Sequence, residues 1–327
     1  MTQVNQDAKI TIKYKTLLKD AIIIVMVHIY IGENSGFCFG VKRAVDKALE
    51  LSERGSVKTL GYVIHNEQAI NRLKEKGVGI AESIDEVNGD FLVIRTHGVK
   101  KQILEKLKNS DIKYFDATCP FVIRSQRIVE KYSEQGYGVI IFGDPKHPEV
   151  IGVISYSKTD KTFVVQKPDD VKNVPPMKKF LVISQTTQKL DDFIEIVKRI
   201  IERGFEVRVF NTVCEVTVDA QKEAYEIAKI SDVVIVVGGK MSSNTDKLYK
   251  VCKAIKESHK VETADEIEEN FIAGKSKIGV VAGTSTPDWI IKDVIDRIKI
   301  LKNNEEIKII RVGQKNRYSA ESIIEDF

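Results

Sequence analysis

The sequence has no apolar run long enough to cross a membrane. Its most apolar stretch, AIIIVMVHIYI at 21–31, is 11 residues long, whereas a bilayer-spanning helix needs about 20. No small-residue cleavage site follows this stretch, which argues against a secretory signal. We therefore expect a cytoplasmic protein without membrane association, in which the second half of the stretch forms a buried strand.

A dominant charge is also missing. The 51 Lys and Arg residues oppose 47 Asp and Glu residues, which leaves a net charge of +4 without a conspicuous basic run. Nucleic acid is therefore not an expected partner. The 327 residues, of which 43% are hydrophobic and 30% charged, are typical of a globular chain with room for two or three domains.

Cysteine is scarce, and the four cysteines form no CxxC pair. Without an export signal, structural disulfides are not expected, and a metal or redox role for some thiols gains weight. Cys252 shares a helical face with Leu248, Val251 and Ile255, so we interpret it as a small buried hydrophobic residue. The other three are Cys38, Cys119 and Cys214.

These three cysteines mark an internal repeat. Each follows a short strand-like run (VHIYI, IKYF, VRVF) and precedes an amphipathic helical pattern. A second strand in each repeat ends in a polar cluster, at His65, His147 and Ser242, which lie 27, 28 and 28 residues after the cysteine. A third strand ends at His97, at Thr186 with Thr187, and at Ser285. The pattern predicts a βαβαβα unit of about 90 residues used three times.

Alternating strands and helices predict parallel sheets with their ligands at the carboxyl ends of the strands. We expect an α/β fold of three small α/β domains around a pseudo-threefold axis, whose polar loops face one centre. The predicted units are 26–115, 116–210 and 211–304, followed by a last strand and polar tail at 305–327. Residues 1–25 are interpreted as an N-terminal extension of no assigned function, and Met26 is a candidate for the natural start.

Three converging thiols without a fourth suggest a metal site with one open coordination position. Thiolates suit zinc or an iron-sulfur cluster. Structural zinc usually takes cysteines in close sequence pairs, whereas these are 81 and 95 residues apart, which favours a cluster. Helix N-termini are expected to lower the pKa of the thiols. For each thiol alone the alternative is a small buried residue; the repeated position favours ligation.

The remaining loop residues suggest a phosphate site. Polar groups at helix N-termini bind anions, and the absence of a Lys or Arg cluster in these loops predicts a modest positive field that histidine protonation tunes. Glu149, two residues after His147, is a candidate proton donor because a carboxyl beside an anion has a raised pKa.

Helix capping is the alternative for the hydroxyl and amide residues, and a plain first-turn role is the alternative for Glu149 and for its repeat counterpart Glu67. The candidates are His65, Asn66, His97, His147, Thr186, Thr187, Ser242, Ser243, Asn244 and Ser285.

A set of motifs resembles one known family. GFCFGVKRAV, HNE, RTHGV, DATCPFV, HPEVIG, SQTTQ, NTVC, SSNTDKL and AGTSTPDW occur in this order between about residues 27 and 310. Together they resemble the LytB/IspH family of 4-hydroxy-3-methylbut-2-enyl diphosphate reductases. Phe39 departs from the alanine that many members have after the first cysteine, which leaves the ligand itself unchanged.

The resemblance implies a [4Fe-4S] cluster held by Cys38, Cys119 and Cys214, with an open apical iron for the hydroxyl of an allylic diphosphate substrate. It implies that Glu149 donates a proton to that hydroxyl and that Thr186 orients it, with Thr187 and Thr217 in the surrounding shell. Two-electron reductive dehydroxylation would then end the non-mevalonate isoprenoid pathway, with ferredoxin or flavodoxin as the expected electron donor. The implied diphosphate ligands are His65, His97, His147, Ser242, Ser243, Asn244 and Ser285.

Two rival interpretations follow from the same pattern. A lyase-type iron-sulfur enzyme such as quinolinate synthase also joins three domains around a three-thiol cluster, but it would need carboxylate-binding groups in place of the HNE, HPE and SSN loops. A non-enzymatic cluster or zinc protein would use the polar loops only as helix caps. That second alternative leaves Glu149 and the three histidines unexplained.

The thiol hypothesis makes a direct prediction for Cys38→Ser. Anaerobically purified protein should show iron-sulfur absorbance, and the substitution should abolish it because a serine hydroxyl does not replace a thiolate ligand. Absorbance and iron content measure the outcome. Zinc in place of iron after anaerobic reconstitution would support the structural alternative instead.

Overall fold

The computed structural model describes residues 26–303 and 305–314, and its strands form three separate parallel sheets. The predicted extension at 1–25 and most of the predicted polar tail lie outside the described residues. None of the described helices combines the length and the apolar character that a membrane span needs. The α/β class with three parallel sheets is confirmed.

The first two sheets share one strand order. The first is formed by β2 (Val57–Leu60), β3 (Val78–Ala81), β4 (Phe91–Ile94) and β5 (Tyr114–Asp116), in the order β3-β2-β4-β5. The second is formed by β6 (Gly138–Phe142), β7 (Thr162–Val165), β8 (Met177–Ser184) and β9 (Gly204–Val209), in the order β7-β6-β8-β9. All neighbouring pairs are parallel.

The third sheet has five strands, and its fourth position is filled from the beginning of the described chain. It runs β11 (Ser258–Val261), β10 (Val233–Val237), β12 (Lys277–Ala282), β1 (Met26–Gly32) and β13 (Glu306–Val312). The sequence analysis placed β1 at the start of the first unit, but β1 pairs in parallel with β12 and β13. An apolar strand finds its partners by hydrogen bonding and burial, and both are provided here by strands distant in sequence. The domain boundaries predicted above, at 26–115, 116–210 and 211–304, stay a prediction.

Helices cover both faces of these sheets. The three that follow the cysteines are α1 (Phe39–Ser52), α4 (Pro120–Glu134) and α7 (Glu215–Ile230). Each packs its apolar stripe on the sheet that comes next in the chain; in α1, for example, Ala44 and Ala48 contact the core around Val57 and Val93. The others are α2 (Glu67–Glu75), α3 (Lys101–Lys108), α5 (Pro148–Ile154), α6 (Leu190–Ile201), α8 (Ser243–Lys253), α9 (Glu269–Ile272) and α10 (Asp288–Leu301), with short 3-10 helices at Ile84–Glu86, Pro168–Asn173 and Ala264–Glu266.

Cys38, Cys119 and Cys214 therefore each lie at a junction between two sheets. Cys38 follows β1 of the third sheet and begins the helix that covers the first sheet. Cys119 and Cys214 repeat this arrangement, after β5 and β9 respectively. The chain thus links the three sheets in a closed cycle, with β1 completing it.

The core of the second sheet allows a test of the packing. Phe180 is fully buried in β8, whereas Phe205 in β9 is 96% exposed. Phe180→Ala should lower the free energy of unfolding by about 3–5 kcal/mol because it leaves a cavity, and the matched change Phe205→Ala should alter it by no more than about 0.5 kcal/mol. Urea unfolding followed by circular dichroism measures both, and equal losses would contradict the placement of these rings.

Candidate active site

The three cysteines adopt the same local structure. Each is the residue before the first turn of its helix, in extended backbone conformation, and none of the thiols caps the helix. Each backbone N–H donates to a threonine carbonyl in a loop that follows a strand: Cys38 to Thr284 (3.1 Å), Cys119 to Thr96 (2.9 Å) and Cys214 to Thr186 (2.8 Å). The side chains are thereby held at the carboxyl ends of the strands.

One cavity of about 100 Å³ connects the three thiols. Gly40 makes the close approach possible, since a Cβ at this position would lie 3.1 Å from the Sγ atom of Cys119. All four cysteines are free thiols, and Cys252 lies fully buried in the core, where its Sγ atom faces the carbonyl of Ala224 at 3.7 Å. The other polar residues that line the cavity are Thr96, His97, Glu149, Thr186, Thr187, Thr217 and Thr284.

The electrostatics of the thiols differ from the sequence expectation. Burial raises the pKa of Cys38, Cys119 and Cys214, to about 12 for Cys214, and this outweighs the backbone N–H groups that lower it. The other two thiols raise the pKa of Cys119 further by charge repulsion. The expected lowering by the helix N-termini is present in these backbone N–H groups, but desolvation exceeds it, so the net shift of the pKa is upward. Three thiolates in this cavity need compensating positive charge, which a metal centre provides.

Glu149 is buried next to this cavity. Both of its carboxylate oxygens accept hydrogen bonds from Thr186: Oε1 from the backbone N–H and Oε2 from the hydroxyl, each at 2.7 Å. Burial raises the pKa of Glu149 above its usual value, although the two Thr186 bonds and the charge of Lys247 act in the opposite direction. A carboxyl with a raised pKa holds its proton more readily, which suits a proton donor.

The three predicted histidines, His65, His97 and His147, form one cluster. Their ring centroids are 4.8, 6.2 and 5.3 Å apart. The Nδ1 atom of His147 accepts the backbone N–H of Glu149 at 3.2 Å, whereas Nε2 of His65 and Nδ1 of His97 are buried without a hydrogen-bond partner. Burial lowers the pKa of each ring, to about 4 for His147. The cluster is therefore neutral at pH 7 in the absence of an anion.

The SSN loop supplies hydroxyl and amide groups. Ser242 caps α8 by accepting the backbone N–H of Thr245 at 3.3 Å, and Ser285 lies 3.3 Å from it, Oγ to Oγ. Asn244 is buried with both its amide N and O atoms unpaired. Capping therefore explains Ser242 but leaves Asn244 without a structural role. Asn66 likewise caps α2 through its side-chain oxygen, and its amide nitrogen is left without a partner.

The histidine and serine loops approach each other closely. Gly239, which precedes the SSN loop, lies against the backbone of His65, and a Cβ there would lie 2.1 Å from the His65 carbonyl oxygen. The cysteine cavity includes His97 and Glu149 but not His65, His147 or the serines. The predicted site residues thus form a thiol cavity with an adjoining polar cluster.

Two cationic residues were missed by the sequence analysis. Arg95 and Lys247 both lower the pKa of His147, and Lys247 donates to Ser243 Oγ at 3.2 Å. Burial lowers the pKa of Lys247 to about 8. The expected modest positive field without a Lys or Arg cluster stays a prediction, and these two cations add to that field. Both residues lie within the quoted motifs, RTHGV and SSNTDKL, and the position of Lys247 four residues after Ser243 was the available signal.

One protein family matches most of this chain. The family model described as LytB protein matches residues 29–299. The chain is 47% identical to the 4-hydroxy-3-methylbut-2-enyl diphosphate reductase of Sulfurovum sp. over 278 residues, which cover 84% of this chain and 99% of that one. It is 41% identical to the reductase of the same name from Geobacter metallireducens over 275 residues, covering 84% and 97%.

Solved structures agree. A structure described as (E)-4-hydroxy-3-methyl-but-2-enyl diphosphate reductase, the terminal enzyme of the non-mevalonate pathway, is 39% identical with a TM-score of 0.65, covering 84% of this chain and 100% of that one. A second, from Plasmodium falciparum, is described as E-1-hydroxy-2-methyl-but-2-enyl-4-diphosphate reductase. It has a TM-score of 0.80, covers 92% and 98%, and at 24% identity supports the fold alone.

The hydrogen bonds between Thr186 and Glu149 lead to a prediction for Thr186→Val. The isosteric change removes one donor from a buried carboxyl and should lower the free energy of unfolding by about 1–3 kcal/mol. Thr187→Val is the matched control, because the Thr187 hydroxyl accepts only a neutral bond from Gln185 at 3.2 Å and its loss should cost less. Urea unfolding at pH 7 measures both variants.

The loss of stability in Thr186→Val should depend on pH, and the direction of this dependence follows from the pKa of Glu149. Burial already raises the folded-state pKa of Glu149 above 4.5, and loss of the hydroxyl raises it further. A carboxyl whose pKa is higher in the folded than in the unfolded protein lowers the free energy of unfolding as the pH rises from the unfolded-state pKa towards the folded-state pKa. The deficit of Thr186→Val should therefore be larger at pH 7 than at pH 5; a deficit that shrinks with rising pH would contradict the assignment.

Proposed function

The chain belongs to the LytB protein family, and on this premise we propose how it acts as a 4-hydroxy-3-methylbut-2-enyl diphosphate reductase. The substrate is (E)-4-hydroxy-3-methylbut-2-enyl diphosphate, and the products are isopentenyl and dimethylallyl diphosphate, the end of the non-mevalonate pathway. The reaction adds two electrons and two protons and releases water. The observation that carries the proposal is a single cavity lined by three thiols, Glu149 and Thr186.

The family consists of iron-sulfur enzymes, and the residues of this chain fit such a group. The three thiols belong to separate loops and line one common cavity, and cysteine thiolates are the usual ligands of iron-sulfur clusters. We assign Cys38, Cys119 and Cys214 as the ligands of a [4Fe-4S] cluster with one open iron. When bound, the cluster would pass on the two electrons that the external donor delivers and would act as a Lewis acid for the substrate oxygen.

Glu149 and Thr186 protonate and orient the hydroxyl group that leaves the substrate. Hydroxide is a poor leaving group, so protonation of the departing oxygen is required, and the buried carboxyl of Glu149 is the available donor. The Thr186 hydroxyl, 2.7 Å from Oε2, can exchange this bond for one to the substrate oxygen and so orient it. Because the Glu149 carboxyl is buried beside the cavity, bulk water does not reach the proton that it transfers.

The diphosphate occupies the adjoining polar cluster. Unpaired buried nitrogens of His65, His97 and Asn244 are ready to donate to phosphate oxygens. The positive charges of Arg95 and Lys247 favour the anion, and protonation of the histidines on binding would add to this. The binding energy of the diphosphate then holds the allylic carbons at the thiol cavity. The other ligands we assign are His147, Ser242, Ser243 and Ser285.

The electron donor reaches the site from the side of Cys38. A groove of about 640 Å³ on this side is lined by Cys38 and Phe39 and by charged groups of both signs, the cations Lys42 and Arg311 and the carboxylates Glu33, Asp46 and Asp288. We propose that a small cytoplasmic ferredoxin or flavodoxin docks there, because Cys38 lines the groove and the charged groups of both signs can make complementary contacts with a partner.

Turnover tests the function. The anaerobically reconstituted protein should convert the hydroxylated allylic diphosphate to both products with reduced methyl viologen as electron donor. Glu149→Gln should keep the cluster absorbance and bind the substrate, yet lose roughly 10²–10⁴-fold in kcat, because an amide cannot donate the proton.

Glu67→Gln is the matched control for Glu149→Gln. Glu67 occupies the corresponding first turn of α2 but is exposed, so its substitution should leave kcat unchanged. Full activity of Glu149→Gln would refute the proton-donor role, and an intact cluster with no turnover in the unsubstituted protein would refute the function.

A further inference from the structure

The histidine cluster has the geometry of a transition-metal site. One nitrogen from each of His65, His97 and His147 lies within 4.8 Å of the other two. Around a tetrahedral Zn²⁺ with Zn–N bonds of about 2.0–2.1 Å, three imidazole centroids lie roughly 5 Å apart. The observed centroid separations of 4.8, 5.3 and 6.2 Å are close to this arrangement. The nitrogens on one such ion would lie roughly 3.3 Å apart, so ligation also requires the rings to turn their nitrogens towards one another.

Two of the three ring nitrogens are free for ligation, and the third requires a change of tautomer. His65 Nε2 and His97 Nδ1 are buried and have no hydrogen-bond partner. His147 uses Nδ1 to accept the Glu149 backbone N–H, which places the proton of the neutral ring on Nε2. Ligation by the neutral ring through Nε2 therefore requires this proton to move to Nδ1, which then gives up its bond from Glu149. Three imidazoles with a fourth position open form a common set for Zn²⁺.

The charges around the cluster have both signs only at His147. Arg95 and Lys247 are the cationic groups that act on His147, and Asp144 is the acidic group that opposes them. At the other two rings Arg95 acts without an opposing carboxylate. A divalent ion bound by the three neutral imidazoles therefore has to overcome the positive charge of Arg95, and the ring lone pairs are the groups that hold it.

We propose that His65, His97 and His147 also form a binding site for a divalent transition-metal ion of the Zn²⁺ type, and that the bound ion excludes the substrate diphosphate. The second half of this proposal rests on the proposed function. A phosphate oxygen needs an N–H donor from each ring, whereas a metal needs the lone pair of the same nitrogen. One ring nitrogen cannot serve both, so the two ligands compete and Zn²⁺ acts as an inhibitor of the reductase.

Zinc binding to the anaerobic holoenzyme tests the site itself. Isothermal titration with Zn²⁺ should show one site per chain, and Mg²⁺, which prefers oxygen ligands, should show none. Iron content and cluster absorbance are followed in parallel. Release of iron on zinc addition would mean that the ion attacks the thiols, and this would overturn the proposal.

His147→Asn is the diagnostic variant. Asparagine is a good helix N-cap and can accept the Glu149 N–H in place of Nδ1, while Nε2 is lost. Zinc affinity should fall by at least roughly tenfold, since even changes beyond the ligands themselves alter metal affinity by about 10–100-fold. Unchanged affinity would refute the site.

His259→Asn is the matched control. His259 lies on β11, away from the cluster, with Glu257 3.2 Å from its Nε2, which makes it the competing candidate for weak zinc binding. Its substitution should leave the zinc affinity unchanged. Loss of binding in His259→Asn together with retention in His147→Asn would place the ion at the surface instead.

The competition is measured by steady-state kinetics with the free Zn²⁺ concentration held constant by a nitrilotriacetate buffer, so that chelation by the substrate does not alter it. Zinc should raise KM without changing kcat. A decrease in kcat alone, or tighter zinc binding in the presence of inorganic diphosphate, would refute mutual exclusion. A protein that binds zinc at the histidines but shows no turnover would refute the proposed function and leave the metal site standing.

Discussion

Three backbone hydrogen bonds hold the centre of this protein together. Each joins the N–H of a cysteine to the carbonyl of a threonine, and the pairs are Cys38 with Thr284, Cys119 with Thr96 and Cys214 with Thr186. Because each threonine follows the third strand of a repeat, the bonds fix every thiol at the carboxyl end of a sheet. The thiol cavity, and with it the position of Glu149 beside Thr186, depends on these three contacts.

Burial at this centre shifts the pKa values of its groups in favour of their neutral forms. It raises the pKa of the thiols and of Glu149 and lowers the pKa of the histidines and Lys247. The binding of a charged ligand can change this, because a ligand of opposite charge shifts the pKa of each group and favours its ionised form. A positively charged metal centre suits the thiols, and an anion suits the histidines. The same low dielectric strengthens each of these interactions once the ligand is in place.

The repeat and its local chemistry could be predicted from the sequence because they depend on neighbours along the chain. The equal offsets from Cys38, Cys119 and Cys214 to the next polar loops, the apolar stripes of the following helices and the alternation of strand and helix are all local signals. The same holds for Cys252, whose helical face predicted its place in the core. In contrast, the approach of Arg95 and Lys247 to the histidines depends on tertiary packing, and only Lys247, by its spacing from Ser243, carried a local signal.

The sequence by itself determined three parallel α/β units, the helix-start position of each thiol and the residue types of the polar loops, because hydrophobic period and turn chemistry act over a few residues. Only the tertiary structure decided that β1 joins the third sheet and closes the cycle. It also decided that desolvation, and not the helix N-terminus, controls the thiols. Strand partners and burial depend on residues more than two hundred positions apart, and no local pattern encodes those distances.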